Sequence, residues 1–281
     1  MEVCRTIADC RTLVRRFRTA GESVGLVPTM GFLHEGHMSL VAAAKKAADR
    51  VVVTIFVNPT QFGEAADLES YPRDEARDLE MLEEAGVDVV LIPSVEEVYP
   101  GGDETIVETT RMANMLHGLV RPGHFRGVTT VVARLFNFVQ PDIACFGEKD
   151  YQQLQVIKRM TRDLAFPIDI RGVPTVREPD GLAMSSRNVR LTPEDRAAAL
   201  VLSQSLTAAE QAAAKGTTIE ALRDLISSTV SAEPRATLCG LDIVGAEDLS
   251  DLSGDLTSPA AIMISVEFGG ILLIDQRVVT P

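Results

Sequence analysis

The decapeptide Pro28 to His37, Pro-Thr-Met-Gly-Phe-Leu-His-Glu-Gly-His, constrains the fold more than any other stretch of the chain. The apolar run Val24 to Val27 before it reads as a short strand, and the alanine-rich, apolar Met38 to Ala48 after it reads as a helix. The order is therefore strand, glycine-bearing turn, helix start. Gly31 can take backbone angles that a side chain forbids, and Gly36 lets a ligand approach the main chain. Free amides and the positive dipole end of the new helix offer an anion site. His34 and His37 are spaced so that a helix begun by His34 carries both rings on one face. The stretch reads as a phosphate grip with two imidazoles added. Zinc is the competing reading, since His-x-x-His can supply two ligands. However, no cysteine pair or third histidine lies nearby, and Glu35 is not placed as in the helical His-Glu-x-x-His signature.

The rest of the chain repeats the plan. Thr6 to Thr19 reads as an amphipathic helix with Ile7, Leu13, Val14 and Phe17 on its apolar side. Arg50 to Val57 is β-branched and almost continuously apolar, as a strand covered on both faces should be. It runs into Asn58-Pro59-Thr60-Gln61, where the proline ends a central strand and leaves Asn58 and Gln61 on the loop at its carboxyl end. A helix over Arg73 to Ala85, a strand over Val87 to Ile92, and a loop over Gly118 to Gly127 carrying Arg121, His124 and Arg126 follow. Then come a helix over Val128 to Val139, a strand over Ile143 to Phe146, the turn Gly147-Glu148-Lys149-Asp150, a helix to about Leu164 and a strand over Phe166 to Val173. Strands alternating with helices predict an α/β fold with a Rossmann-like, doubly wound parallel sheet over residues 1–176. Its ligands are expected at the carboxyl ends of the strands.

Beyond Val176 the pattern changes to a smaller α+β domain, residues 177–281. Thr192-Pro193 opens a helix expected to run to about Lys215 and stop at Gly216. Thr217 with Glu220 is read as a capping box for the next helix. Leu238 to Val244, Ala261 to Phe268 and Ile271 to Ile274 are expected strands.

Charge and cysteine content restrict the setting. The formal net charge of −13 opposes adhesion to nucleic acid or an anionic membrane. No apolar run approaches the roughly 18 residues of a spanning helix, and the arginine-rich start lacks the apolar core of a signal peptide. Cys4, Cys10, Cys145 and Cys239 are scattered without a Cys-x-x-Cys, so a reduced, cytoplasmic location is expected, with Cys145 a small buried residue.

Four loops carry the chemistry. The turn at His34 offers the anion cradle, and Gly147 to Asp150 repeats the strand, glycine, helix order while adding the cation of Lys149 and the carboxylate of Asp150. Met184-Ser185-Ser186-Arg187 contributes two hydroxyls and an always-charged guanidinium. Asn58, Gln61, Gln152 and Gln153 offer amides suited to a small polar substrate bearing hydroxyls and a carboxylate. Taken singly, each has a plain structural explanation. Together at successive sheet ends they point to ATP and to phosphoryl or nucleotidyl transfer, in which positioning and charge neutralisation supply most of the catalysis. His34, His37, Lys149, Arg187 and a bound Mg2+ would offset the charge growing on the phosphates. Asp74, Glu75 and Asp78 lie near enough to the Gln61 loop to be magnesium candidates, against which a solvated acidic helix face is the plainer account.

These segments, with Phe-Val-Asn-Pro-Thr-Gln-Phe at Phe56 to Phe62, Tyr71-Pro72-Arg73, Arg121-Pro-Gly-His-Phe-Arg-Gly127, Phe136 to Asp142 and Phe146 to Leu154, closely resemble the pantothenate synthetase family from about Ile7 to Arg196. The tail resembles it loosely through Leu273-Ile274-Asp275, with Leu272 where the family usually has arginine. The resemblance implies an ATP-dependent ligase that joins (R)-pantoate to β-alanine through a pantoyl-adenylate. It implies that Met30, Gly31, Phe32, Leu33, His34, Glu35, Gly36 and His37 hold ATP, with His37 as proton donor. It also implies that Gln61 and Gln153 hold pantoate, Gln61 lying by β-alanine as well, and that Gly147 to Asp150, Val176 and Met184 to Arg187 complete the ATP site. A cytoplasmic homodimer with a carboxy-terminal lid is the implied assembly. Adenylation by a carboxylate needs no proton transfer, so His34 and His37 are expected to act mainly as phosphate donors. The rival readings are a nucleotidyltransferase that retains AMP in its product, a tRNA-charging enzyme and a non-catalytic nucleotide sensor.

Overall fold

The computed structural model describes residues 1–63 and 68–281. They divide into two compact units, Met1–Gly147 with Val156–Val173, and Glu148–Gln155 with Pro174–Pro281.

In the first unit the strands are β1 (Glu2–Cys4), β2 (Val24–Thr29), β3 (Arg50–Ile55), β4 (Val89–Leu91), β5 (Ile143–Gly147) and β6 (Asp169–Val173), and the longer helices wholly within it are α1 (Ile7–Thr19), α2 (Glu35–Ala47), α3 (Glu75–Glu84) and α4 (His124–Val139). The six strands form one parallel sheet in the order β1-β4-β3-β2-β5-β6. The expected doubly wound α/β sheet is therefore present. The order turns back at β2, with β3 on one side and β5 on the other, and ligands of open α/β sheets bind outside such a switch point. Val24, Leu26 and Val27 of β2 and Val51, Val52 and Val53 of β3 are buried, which is why these central strands read as unbroken apolar runs. Pro28 continues β2 beyond the Val27 end that the apolar run suggests. It is tolerated because pairing with β5 stops at Leu26. Strand β1 leaves no mark in the sequence, being three residues with only Cys4 buried, too short for any periodicity. His124 and Arg126 belong to the first turn of α4, not to the expected loop. Gly123, at φ +81°, turns the chain into that helix.

The helix α5 (Tyr151–Asp163) is shared between the units, its first residues grouping with the second. The sequence boundary at Val176 places 148–155 with the first unit instead. Within the second unit the Tyr151 hydroxyl donates to the Ala246 carbonyl at 2.8 Å, an anchor that sequence spacing does not reveal.

The second unit carries α6 (Pro193–Ala198), α7 (Val201–Ala213) and α8 (Ile219–Ser231) with an antiparallel sheet, β7 (Thr237–Gly245), β8 (Ala260–Phe268) and β9 (Ile271–Val279), in that order. Gly269 and Gly270, at φ +56° and +82°, make the two-residue turn between β8 and β9. Thr192 caps α6 through the Asp195 amide as expected, but the single helix expected to Lys215 is two, α6 and α7. Thr218, not Thr217, caps α8, and the Glu220 carboxylate accepts from the Gly254 amide at 3.1 Å instead of closing a capping box. Leu202, Leu206, Leu222, Ile226, Ile262 and Phe268 form much of the core of this unit.

Cys4, Cys10 and Cys145 are buried and Cys239 is exposed, Cys145 as expected. Burial pushes the Cys145 thiol up to about 11. Among the described residues, no helix is long and apolar enough to cross a membrane.

Candidate active site

The turn after β2 stands where the sheet order reverses. Gly31 has φ +80° and Phe32 has φ +51°, so two consecutive residues occupy the left-handed region and swing the chain from strand to helix. A Cβ at Gly31 would lie 2.9 Å from Asp78 Oδ2 and 3.0 Å from Ile55 Cγ2, so glycine is required for space as well as for φ. Helix α2 starts at Glu35, with His34 as its N-cap and His37 in its first turn.

Where the sequence suggests free amides, those of this turn are bonded within the unit. The Phe32 and Leu33 amides donate to the two oxygens of Asp78 at 2.8 and 2.7 Å, and the Gly31 amide to Thr29 Oγ1 at 3.2 Å. The Gly36 amide donates to His34 Nδ1 at 3.1 Å and the His34 amide to His37 Nδ1 at 3.3 Å. The two histidines cap the helix themselves, a role usually taken by serine and glutamate. Their ring centroids lie 4.1 Å apart. A neutral imidazole whose Nδ1 accepts a hydrogen bond carries its proton on Nε2. The amides of residues 31 to 34 and of Gly36 are thus engaged by the turn itself and by Asp78.

Asp78 faces inward. It is 1% exposed, and its carboxylate is spent on the turn, so it is neither a solvated helix residue nor open to a metal. Asp74 caps α3 through the Arg77 amide and Glu75 pairs with Arg5. Arg77 also lays its guanidinium 5.8 Å from the Phe32 ring centroid, a second hold by α3 on the turn. Among the described residues no group of three His, Cys, Asp or Glu side chains is placed to hold a metal.

After β3, the 3-10 turn Pro59–Gln61 is clamped by Asn58, which is 1% exposed. Asn58 Oδ1 accepts from the Thr60 amide at 3.3 Å and the Tyr99 hydroxyl at 2.8 Å. Its Nδ2 donates to the Gly127 carbonyl at 3.2 Å and to Gln61 Oε1 at 3.0 Å. Both ends of this amide are thus engaged within the unit, and its Nδ2 holds Gln61. Gly127 lets α4 lie against this turn, where a Cβ would fall 2.4 Å from the Thr60 carbonyl oxygen. The Gln61 carbonyl also meets His124 Nδ1 at 2.8 Å. Gln61 Nε2 reaches Met30 Sδ at 3.2 Å, so within this unit the structure brings the amide loop to the turn after β2.

In the second unit Glu148 and Lys149 are half-buried, Asp150 is exposed, and Gln153 is half-buried beside the buried Gln152. Val176 and Met184 sit on facing arms of a hairpin, joined by Met184 N to Val176 O at 3.0 Å and by the Arg177–Ala183 bridge. Arg177 pairs with the fully buried Asp275 carboxylate at 2.7 Å and bonds the Gly181 carbonyl, bracing the hairpin from β9. Ser185 accepts from the Arg187 amide at 3.2 Å, Ser186 is half-buried, and Arg187 is exposed with its guanidinium 3.3 Å from the Leu272 carbonyl oxygen. That contact is to the main chain, so the Leu272 side chain does not decide it.

The family model described as pantoate-beta-alanine ligase matches residues 2–278. A curated pantothenate synthetase from Pelotomaculum thermopropionicum is 50% identical over 279 residues, 99% of each chain, and one from Bartonella tribocorum is 48% identical over 99% of this chain and 98% of its own. The crystal structure of pantothenate synthetase from Thermus thermophilus is 47% identical, with a TM-score of 0.94 over 100% of both chains. Pantoate-beta-alanine ligase from Francisella tularensis, solved in complex with beta-gamma ATP and beta-alanine, is 34% identical with a TM-score of 0.80 over 99% of this chain and 97% of that one.

Proposed function

The chain belongs to the pantoate–β-alanine ligase family, and from that premise we propose that it condenses (R)-pantoate with β-alanine, converting ATP to AMP and pyrophosphate. The observation that carries the residue assignment is the self-capped pair His34 and His37 at the switch point of the sheet.

The pantoate carboxylate attacks the α-phosphorus of ATP. A P–O bond forms to the carboxylate, the bond to the bridging oxygen breaks, and pyrophosphate leaves. The amine of β-alanine then attacks the acyl carbon of the pantoyl-adenylate, AMP departs, and the nitrogen loses a proton as the amide forms. In the first step His34 and His37 donate Nε2–H hydrogen bonds to phosphate oxygens whose charge is growing. The cations of Lys149 and Arg187 serve the same phosphates. Met30 to His37, Gly147 to Asp150, Val176 and Met184 to Arg187 hold ATP, while Gln61 and Gln153 hold pantoate. Mg2+, expected to accompany ATP, would offset the phosphate charge together with His34, His37, Lys149 and Arg187. A cytoplasmic homodimer with a carboxy-terminal lid, residues 177–281, completes the proposal.

The stoichiometry tests it. With all three substrates, one AMP and one pantothenate appear per ATP consumed. ADP in place of AMP would contradict adenylation, and AMP retained in the product would favour a nucleotidyltransferase.

A further inference from the structure

Tyr99, which none of the ligand-facing motifs contains, follows the helical turn Val95–Val98 after β4 and points its hydroxyl at Asn58. We propose that Tyr99 is a positioning residue for pantoate: its hydroxyl holds the Asn58 amide in place, and Asn58 in turn holds the Gln61 amide in the orientation that the Thr60 and Gly127 main chain dictates. The inference rests on the assignment of Gln61 to pantoate above.

The orientation follows from groups that have no choice of role. The Thr60 main-chain N–H can only donate and lies 3.3 Å from Asn58 Oδ1, while the Gly127 carbonyl can only accept and lies 3.2 Å from Asn58 Nδ2. Asn58 is therefore placed with its oxygen toward Thr60 and Tyr99 and its nitrogen toward Gln61. The facing atom of Gln61 must then be the acceptor Oε1, at 3.0 Å, which turns Nε2 the other way. There it meets Met30 Sδ at 3.2 Å, and a thioether is a weak acceptor, so the donor strength of Nε2 is kept for a better one. Gln61 thus presents N–H to the substrate side, the polarity that suits a carboxylate or hydroxyl oxygen of pantoate.

Tyr99 is itself held in place. Its hydroxyl lies 2.8 Å from Asn58 Oδ1 and 3.2 Å from Thr60 Oγ1. The Arg134 guanidinium lies 4.6 Å from its ring centroid, and the Phe56 ring centroid 6.2 Å. Arg134 is itself tied to the Val98 carbonyl at 2.6 Å, so the guanidinium beside the ring is held in its turn. Burial pushes the phenol above its ordinary value, so the hydroxyl keeps its proton and remains a donor at neutral pH.

Tyr99→Phe keeps the ring and its packing and removes only the hydroxyl. It is expected to raise the KM for pantoate roughly 3- to 10-fold, the worth of one such hydrogen bond. The KM for ATP and the melting temperature stay close to those of the parent. Gln61→Ala raises the pantoate KM further, and adding Tyr99→Phe to Gln61→Ala has almost no additional effect, because the hydroxyl acts through the amide that is gone. Equal factors in the two backgrounds, or no change of pantoate KM in Tyr99→Phe, would overturn the proposal. A pantoate KM unchanged in Gln61→Ala would instead overturn the assignment of Gln61, and the proposal with it.

Discussion

Replacing His37 by alanine should slow formation of the pantoyl-adenylate roughly 100- to 1,000-fold, the usual loss when one preorganised donor to a developing charge is removed. The substitution removes two things at once, since His37 Nδ1 also accepts from the His34 amide. Two further variants separate them. Glutamate at the third helical position is a natural partner of an N-cap, so His37→Glu restores the acceptor, yet it offers the phosphate no N–H. It should melt like the parent and remain slow in adenylation. His37→Gln restores the acceptor and supplies an amide N–H as well, and should recover part of the rate. Rapid-quench measurement of adenylate in single turnovers reads this directly. Adenylation at the parent rate in His37→Ala, with only amide formation slowed, would assign His37 to proton transfer in the second step.

The second large effect is expected at Asp78. Its carboxylate holds the Phe32 and Leu33 amides, and Leu33 is 1% exposed, so truncation orphans two main-chain donors at a turn already in the left-handed region. Hydrogen bonds to a charged group contribute about 1.5 to 3 kcal/mol each, and removal of a buried charge returns some of this, so Asp78→Ala is expected to cost about 3 kcal/mol. A unit of this size should then melt roughly 6 to 12 °C lower. In Asp78→Asn one oxygen still accepts while the new NH2 faces a main-chain N–H, giving a smaller fall. Both variants should raise the KM for ATP, because the rings of His34 and His37 are carried by the turn that Asp78 holds. A melting temperature and ATP KM matching the parent in Asp78→Ala would show that the turn keeps its shape unaided.

How much of the fold and site is legible in the sequence follows from how local each cause is. The His34 turn is readable because strand, glycines and helix start are contiguous, and β2 and β3 because strands buried on both faces leave continuous apolar runs. Asp78 is hidden because its partners lie more than forty residues away in sequence, and an aspartate in an acidic helix gives no sign of facing inward. The expectation of free amides fails for a related reason: sequence shows which groups a helix start exposes, but not that His34 and His37 fold back onto them. Asn58 does stand beside the Gln61 loop, as its place in the sequence suggests. Its inward orientation depends on Gly127 and Tyr99, which only the packing of α4 and of the segment after β4 brings within reach. The cap at Thr218 differs from the expected one by a single residue because two adjacent threonines carry the same local signal.

The central claim is that a pantoyl-adenylate forms before β-alanine reacts. Its most direct test is isotope exchange between pyrophosphate and ATP in the presence of magnesium and pantoate, with β-alanine left out. Exchange that requires pantoate, proceeds without β-alanine, and is accompanied by AMP release only when β-alanine is added is the predicted result. Absence of pantoate-dependent exchange under conditions where all three substrates give pantothenate would contradict the adenylate route and the roles assigned to His34 and His37 within it.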